Sequence, residues 1–320
     1  MAQASALIAD IGGTNVRFAL VGPDGRPATP MVMACADFAG PAEAARAYLA
    51  AAAPGLSPRR AAFAVASPVT GDRIDLTNSA WSFSVGEVRR DLGLDLFEVV
   101  NDFTAVALSV RHLTAADLVR LGGGEPAAKA PIAVLGPGTG LGVSALVPTA
   151  GGRWEALATE GGHVTMAAAD DREATLLAQL RHRFGHVSAE RVLSGPGLVN
   201  LYEAVAAVDG RPAIYTAPDA IAQRALDGSC PLCRDALETF FSMLGTVAGN
   251  LVLSLGARGG VFIAGGVLPR MHAAFRSSRF RARFEDKGRF RDYLAPIPAW
   301  LVVHPQPAFA GLAGLVATPA

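Results

Sequence analysis

Ala6-Leu7-Ile8-Ala9-Asp10-Ile11-Gly12-Gly13-Thr14-Asn15 is an apolar strand that runs into a glycine turn, near the start of a chain of 320 residues. After the turn, Val16, Phe18 and Leu20 alternate with other residues. A period of two is typical of a strand, whereas a helix repeats every 3.6 residues. The glycine turn therefore joins two strands, not a strand and a helix.

A second stretch repeats this pattern. An apolar strand, Ile132-Ala133-Val134-Leu135, leads into Gly136-Pro137-Gly138-Thr139-Gly140-Leu141-Gly142, and the residues that follow alternate again. In such a hairpin, phosphates would meet backbone amides and a threonine hydroxyl, because glycine allows close approach and positive φ angles. Either turn alone is equally compatible with an ordinary tight turn. A third strand ends in Gly265-Gly266, which could approach the base or ribose of a nucleotide.

The strand-turn-strand context disfavours the two common phosphate-binding motifs. A P-loop needs a lysine beside its glycines, and the lysines of this chain, Lys129 and Lys287, lie in no such motif. A Rossmann turn opens a helix whose N-terminal amides hold the pyrophosphate. The spacing of Gly140, Gly142 and Ala145 fits that motif, but strand-like residues occupy the segment. We interpret both turns as hairpin cradles.

Composition indicates a globular protein that acts on small molecules. Lysine plus arginine equals aspartate plus glutamate, 28 each, so no basic excess favours nucleic acid or an anionic membrane. The first apolar segment has no basic residues before it and is interrupted by Asp10, unlike a signal peptide. The longest apolar region, residues 243–257, is short for a membrane span and predicts a buried helix. We expect a cytoplasmic protein without nucleic-acid or membrane partners.

Three cysteines are too few for a disulfide framework, which also favours a reducing compartment. Cys230-Pro231-Leu232-Cys233 has the spacing of half a zinc site or of a redox pair. No second Cys or His pair stands at a suitable interval in the sequence. A structural role is favoured for this motif, with the metal and redox interpretations left open.

Polar residues at a strand end supply a candidate acid–base group. Asn101 and Asp102 follow the apolar strand 97–100 and precede a helix-like run. A carboxylate there can accept a proton from a substrate hydroxyl, and an asparagine offers a donor and an acceptor to neighbouring hydroxyls. Asn and Asp are also favoured helix caps. Both interpretations remain open at this point.

Glu160-Gly161-Gly162-His163 and Glu190 add further polar groups. Paired glycines expose the flanking side chains, and carboxylates, an amide and an imidazole suit the adjacent hydroxyls of a sugar. A structural histidine and a metal site are the alternatives. The glycine-separated pair does not reproduce a helical H-E-x-x-H motif.

These segments together resemble the bacterial glucokinases, which are hexokinase-type ATP:glucose phosphotransferases of the actin, Hsp70 and sugar-kinase superfamily. The resemblance covers nearly the whole chain. Its most specific parts are Thr77-Asn78-Ser79-Ala80-Trp81, Asn101-Asp102-Phe103-Thr104-Ala105, Glu160-Gly161-Gly162-His163 and the segment from Ser188 to Gly197. It implies an α/β fold of two actin-like ATPase-type domains with a ligand cleft between them.

The resemblance also implies residue roles and partners. Asp102 would be the catalytic base at the glucose 6-hydroxyl, and Asp10 would position Mg²⁺ through water. The sugar would be held by Asn78, Asn101, Asp102, Glu160, His163 and Glu190. ATP would be held by Ala9, Asp10, Ile11, Gly12, Gly13, Thr14, Gly138, Thr139, Gly140, Gly265 and Gly266. Pro137 replaces another small residue that the family often has, and leaves the glycines intact.

The expected organisation is a smaller α/β domain of residues 1–112, rejoined by the C-terminal segment 306–320, and a larger α+β domain of residues 113–305. The expected protein is a cytoplasmic homodimer that binds glucose and MgATP and acts in glycolysis.

Three other functions remain under consideration. A kinase for another sugar, such as fructose or an N-acetylated hexosamine, often carries a cysteine-rich zinc motif, and none follows His163. A sugar-sensing transcription factor would need a helix-turn-helix before the strand that begins near Ala6. A structural actin-like protein would not need the sugar-binding residues.

Overall fold

The structure is a computed structural model that describes residues 6–76 and 80–317. The chain divides into two compact units. The first unit comprises Met1–Thr114, Ala156–Ala158 and His304–Ala320, and the second comprises Ala115–Glu155 and Thr159–Val303. Each unit is built around a β-sheet with helices packed against it.

The strands are β1 (Ala6–Ile11), β2 (Asn15–Val21), β3 (Pro27–Ala34), β4 (Arg60–Val65), β5 (Arg73–Asp75), β6 (Ser82–Ser84), β7 (Leu96–Asn101), β8 (Leu118–Gly122), β9 (Ile132–Pro137), β10 (Leu141–Pro148), β11 (Trp154–Ala158), β12 (Val261–Ile263) and β13 (Ala299–Val302). The α-helices are α1 (Pro41–Ala52), α2 (Val85–Asp91), α3 (Asp102–Ser109), α4 (Asp171–Phe184), α5 (Gly195–Val208), α6 (Pro218–Leu226), α7 (Pro231–Leu255), α8 (His272–Ser277), α9 (Phe280–Glu285), α10 (Arg291–Leu294) and α11 (Pro307–Val316). Short 3-10 helices span Cys35–Asp37, Ala115–Asp117, Gly161–His163, Pro269–Met271 and Gly288–Phe290.

The main sheet of the first unit has the strand order β3-β2-β1-β4-β7. β1 and β2 pair antiparallel, which confirms the predicted strand-turn-strand hairpin, and β1, β4 and β7 are parallel. β4 is almost entirely buried, as expected of a parallel strand with neighbours on both sides. The stacked rings of Phe18 and Tyr48 are 5.2 Å apart in the core below.

Helix α3 begins where β7 ends, and α11 packs directly against it. A Cβ atom on Gly311 of α11 would lie 1.9 Å from the Ala105 carbonyl oxygen of α3. The two backbones therefore touch at this glycine, and the contact fixes α3 against the sheet.

The main sheet of the second unit has the order β11-β10-β9-β12-β13-β8. β9 and β10 form an antiparallel hairpin, as predicted, and β9, β12 and β13 are parallel. Both glycine turns thus join adjacent antiparallel strands that belong to mixed sheets.

The long helix α7 fills the core of the second unit. Gly245 and Gly249 lie against α9, where added Cβ atoms would meet the carbonyl oxygens of Phe280 at 2.2 Å and of Phe284 at 2.5 Å. Within the described residues, α7 is the one helix whose length and hydropathy would suit a membrane, and 72% of its most apolar window is buried inside the protein. Its apolar residues thus serve core packing, as the prediction of a buried helix required.

Candidate active site

The first glycine turn leaves two successive backbone amides unpaired. The Gly12 amide donates to the Asn15 carbonyl oxygen at 2.9 Å, which closes the turn. Within the part of the chain that the structure describes, the amides of Gly13 and Thr14 donate no hydrogen bond. Successive unpaired amides form a concavity that favours anions. This turn therefore offers the donors that a phosphate group needs.

Asp10 lies in β1 directly opposite Arg17 of β2. Its Oδ2 is 3.2 Å from Arg17 Nη1. Burial raises the pKa of Asp10, and the charge and hydrogen bond of Arg17 partly offset that rise. Ala9 and Ile11, which flank Asp10, are fully buried in the sheet. Their side chains pack in the core, and their backbone pairs with β2 on one side and β4 on the other.

Arg17 and Cys35 support this turn and were missed in the sequence. A hairpin centred between residues 13 and 14 pairs residue 10 with residue 17, so the register alone could have found Arg17. The Cys35 amide donates to the Thr14 carbonyl oxygen at 2.9 Å, and its thiol lies 3.7 Å from the Gly12 carbonyl oxygen. No sequence pattern indicated Cys35, because its contact comes from the return of β3.

Asn101 and Asp102 lie at the junction of β7 and α3. Asn101 is the N-cap of the helix: its Oδ1 accepts from the amides of Phe103 at 2.9 Å and Thr104 at 3.3 Å. Its Nδ2 donates to the Ser67 carbonyl oxygen at 3.4 Å. Asp102 is the first helical residue, and its Oδ1 accepts from the Phe103 amide at 2.8 Å. The cap and the candidate base are thus adjacent residues with separate tasks. The predicted sugar-binding residue Asn78 lies outside the described residues.

The second glycine turn has the same character as the first. The Gly138 amide donates to the Gly140 carbonyl oxygen at 2.8 Å and closes the turn. Among the described residues, no acceptor bonds the amides of Thr139 and Gly140. The next amide, of Leu141, donates to Glu190 Oε2 at 2.9 Å. Two successive amides and a threonine hydroxyl are again available to an anion.

The third glycine turn packs against the end of β9. Gly265 has φ +91°, and a Cβ atom there would lie 2.3 Å from the Pro137 carbonyl oxygen. A Cβ atom on Gly136 would lie 2.2 Å from the Ala264 carbonyl oxygen. Both positions need glycine because two backbones touch. Gly266 has open space around it.

Three predicted sugar-binding residues of the second unit lie together. His163 stands between two carboxylates, with Nε2 3.9 Å from Glu160 Oε2 and Nδ1 3.9 Å from Glu190 Oε1. Glu160 and His163 are more than half exposed, whereas the Glu190 side chain is 31% exposed. These separations exceed a hydrogen bond, so Glu160, His163 and the Oε1 atom of Glu190 are not tied to one another and can bond a ligand. The arrangement suits a ligand with several hydroxyls.

The loops that carry these side chains are tied to the second glycine turn. The Gly195 amide donates to the Gly138 carbonyl oxygen at 2.8 Å, and the Glu190 amide donates to the Gly162 carbonyl oxygen at 2.9 Å. A Cβ atom on Gly162 would lie 2.1 Å from the Leu141 carbonyl oxygen. The polar cluster and the turn therefore form one hydrogen-bonded assembly.

The side chains that could bind Mg²⁺ would form a complete site only together with a bound ligand. Within residues 6–76 and 80–317, no group of three or more His, Cys, Asp and Glu side chains is arranged to hold a metal ion. Mg²⁺ commonly keeps several waters and binds one or two carboxylates together with substrate phosphates. Asp10, beside a turn with free amides, matches that pattern.

The C-x-x-C motif caps a helix. Cys230 is the N-cap of α7, and its Sγ accepts from the Cys233 amide at 3.4 Å. Burial raises the pKa of the Cys233 thiol to about 12. A thiol in this state is a poor nucleophile and metal ligand, which agrees with the structural interpretation.

A cavity of about 490 Å³ in the first unit lies elsewhere on the chain and includes no predicted site residue. Three arginines line it, Arg59, Arg89 and Arg90, and the first two are already engaged. Arg59 forms an ion pair with Asp95, and Arg89 donates to the carbonyl oxygens of Leu94 and Asp95. The cavity is therefore a poor candidate for an anion site.

Comparisons with known proteins agree over nearly the whole chain. Residues 7–319 match the sequence model of the family described as "Glucokinase". A glucokinase from Paramagnetospirillum magneticum is 66% identical over 98% of this chain and 98% of its own length. A glucokinase from Aromatoleum aromaticum is 50% identical, covering 96% and 93%. The crystal structure of a glucokinase from an Antarctic psychrotroph is 40% identical, with a TM-score of 0.89 over 97% of this chain and 98% of that one.

The fold and the paired glycine hairpins define a sugar kinase with two actin-like domains, as the resemblance implied. Within that class, the chain belongs to the glucokinase family.

Proposed function

We propose that this chain transfers the γ-phosphoryl group of ATP to the 6-hydroxyl of glucose, giving glucose 6-phosphate and ADP. The observation that carries the proposal is the assembly in the second unit. There, Glu160, His163 and Glu190 form a hydroxyl-binding cluster that is hydrogen-bonded to an anion-binding glycine turn. Family membership supports the same reaction.

Asp102 is the proposed general base. It takes the proton of the glucose 6-hydroxyl as that oxygen attacks the terminal phosphorus. Its position at the N-terminus of α3 suits a negatively charged side chain. Asn101 binds the sugar through the second hydrogen of its amide nitrogen, since its oxygen is occupied by the helix cap. Asn78 is a further proposed sugar ligand.

The nucleotide is held mainly by backbone groups. The free amides and hydroxyls of Thr14 and Thr139 bind its phosphates, together with the amides of Gly13 and Gly140. Gly12 and Gly138 shape these turns, residues 9–11 form the strand that carries the first cradle, and Gly265 and Gly266 face the adenosine. Asp10 would position Mg²⁺ through water, and the ion would neutralise phosphate charge.

Further properties belong to the proposal. The enzyme acts in glycolysis in the cytoplasm as a homodimer, without nucleic-acid or membrane partners. Its functional domains are residues 1–112 with 306–320, and residues 113–305. The bounds of the two compact units, which fall close to these numbers, support that division.

A hexose panel tests the proposed function. Purified protein with ATP and Mg²⁺ is assayed for ADP release with glucose, mannose, fructose and N-acetylglucosamine, and the product is identified by ³¹P and ¹³C NMR. We expect turnover with glucose and phosphorylation at its 6-hydroxyl. Absence of turnover with glucose would exclude the proposal, and preferential turnover of fructose or the hexosamine would favour a related sugar kinase.

A further inference from the structure

We propose that the Glu190 carboxylate couples sugar binding to nucleotide binding by placing a negative charge on the second glycine turn. Without sugar, this charge opposes the nucleotide phosphates. Sugar hydroxyls that donate to the same carboxylate reduce that opposition. The inference rests on the proposed function and assigns Glu190 a second task besides holding the sugar.

The two carboxylate oxygens of Glu190 face different groups. Oε2 accepts from the Leu141 amide at 2.9 Å, directly after the residues proposed to bind phosphate. Oε1 lies 3.9 Å from His163 Nδ1, within the hydroxyl-binding cluster. One ionisable group thus contacts both halves of the site in this unit. A ligand that withdraws negative charge from one oxygen therefore also lowers the negative charge on the other.

The backbone of Glu190 is fixed, so the carboxylate has little freedom to avoid the turn. Its amide donates to the Gly162 carbonyl oxygen at 2.9 Å, and its carbonyl oxygen accepts from Ser194 Oγ at 2.9 Å. A Cβ atom built on Gly140 would lie 2.4 Å from Glu190 Oε2. The carboxylate therefore rests directly on the residue whose amide is offered to phosphate.

The charge of Glu190 should weaken nucleotide binding when no sugar is bound. The amides of Thr139, Gly140 and Leu141 follow one another along the chain. The Glu190 carboxylate accepts a hydrogen bond from the third of them, as a bound anion would. The Glu190 carboxylate and a phosphate bound to the neighbouring amides are both negative and repel each other. The repulsion is strongest where solvent is partly excluded. Hydrogen bonds from sugar hydroxyls stabilise the carboxylate and delocalise its charge. Sugar should therefore tighten nucleotide binding, and by linkage nucleotide should tighten sugar binding by the same factor.

The test measures dissociation constants of a non-hydrolysable ATP analogue, with Mg²⁺, in the absence and presence of saturating glucose. For the unmodified protein we expect glucose to tighten binding roughly 5-fold or more. For Glu190→Gln, which keeps an acceptor for the Leu141 amide and removes the charge, we expect sugar-free binding to tighten and the glucose effect to approach 1. Glu155→Gln removes an exposed charge of β11 in the same way and is expected to behave like the unmodified protein.

A second variant tests the contact from the other side. Gly140→Ala places a methyl group where Glu190 Oε2 lies. The variant should weaken glucose binding measured without nucleotide, although Gly140 has no proposed sugar contact. Unchanged glucose affinity in this variant would contradict the coupling.

The outcomes separate the two proposals. If the unmodified protein phosphorylates glucose but Glu190→Gln binds the analogue no more tightly without sugar, the coupling is wrong and the proposed function stands. If the unmodified protein neither binds nor phosphorylates glucose, both proposals fail.

Discussion

Asp10 is an ionisable side chain in a largely buried position, and its proposed role is to position Mg²⁺. Burial raises its pKa, and Arg17 at 3.2 Å only partly offsets the cost of its charge. A group held in this way stabilises the fold less when it is ionised. Such unfavourable placement of a charge is common where function requires it.

Asp10→Asn should therefore separate activity from stability. We expect turnover to fall at least about 10-fold, because the positioning of Mg²⁺ contributes several kcal/mol to phosphoryl transfer. The raised pKa also fixes the sign of the stability change. The contribution of Asp10 is greatest at acid pH, where the carboxyl is protonated, and it is lost as the pH rises through the raised pKa.

Thermal unfolding of both proteins checks the sign of this stability change. The measurements run from about pH 4, near the ordinary pKa of aspartate, to about pH 8. The unmodified protein should lose stability relative to Asp10→Asn as the pH rises. A relative gain over the same range would show that the Arg17 ion pair outweighs the cost of burial.

Predictions from the sequence succeeded for single residues where the pattern was local. The alternation after each glycine turn was sufficient to predict hairpins, because the period of two is a local property. The structural reason for glycine at Gly161 and Gly162 was only partly predicted. They were expected to expose neighbouring polar groups, but their close approach to Val143 and Leu141 of β10 is the stronger constraint. That contact joins distant parts of the chain and has no local signal.

The packing of α11 on α3 determines where Asp102 is held in the first unit. Gly311→Ala would drive a methyl group into the Ala105 carbonyl oxygen, which is 1.9 Å from the ideal Cβ position. Since both partners are backbone, relief requires a helix to shift. We expect a loss of about 1–3 kcal/mol in the free energy of unfolding, together with reduced kcat.

Gly314→Ala on the same helix is a matched control. Its Cβ atom would meet the His112 ring at 2.7 Å, and a side chain can move aside. Denaturant unfolding of the two variants checks the difference. Equal stability of Gly311→Ala and Gly314→Ala would show that the contact between α3 and α11 is not tight.

The N-cap role of Cys230 predicts the order of thiol reactivity. At pH 8, iodoacetamide should modify Cys230 first, because Cys35 and Cys233 are buried and burial raises the pKa of both thiols. Peptide mass spectrometry after timed quenching gives the order, and all three should react in denaturant. Modification of Cys233 as fast as Cys230 would favour a reactive pair over a structural cap.

Some elements were predicted closely and others were missed. The alanine-rich residues 41–53 predict a helix, and so do the apolar residues 233–255; the structure has Pro41–Ala52 and Pro231–Leu255. Helices α4, α5 and α6 received no prediction. α5 starts in Gly195-Pro196-Gly197, which resembles a loop, and only the Ser194 cap and the close approach of Gly197 to the 190–192 backbone explain the helix there.

For the molecule as a whole, each unit contributes a distinct set of polar side chains and a hairpin with two successive amides that have no acceptor among the described residues. The first unit carries Asp10 and Asp102, and the second carries Glu160, His163 and Glu190. The proposed reaction needs both sets in one turnover. A change at Asp102 should therefore remove proton acceptance while the proposed sugar contacts of the second unit persist.

Asp102→Asn tests the central claim most directly. We measure kcat by coupled assay and glucose affinity by calorimetry for this variant and for Asp171→Asn, which changes the equivalent first residue of α4. We expect Asp102→Asn to lose at least ~10²-fold in kcat because the general base is removed, with glucose binding largely kept and Asp171→Asn unaffected. A kcat near that of the unmodified protein would contradict the assignment of Asp102 as the base.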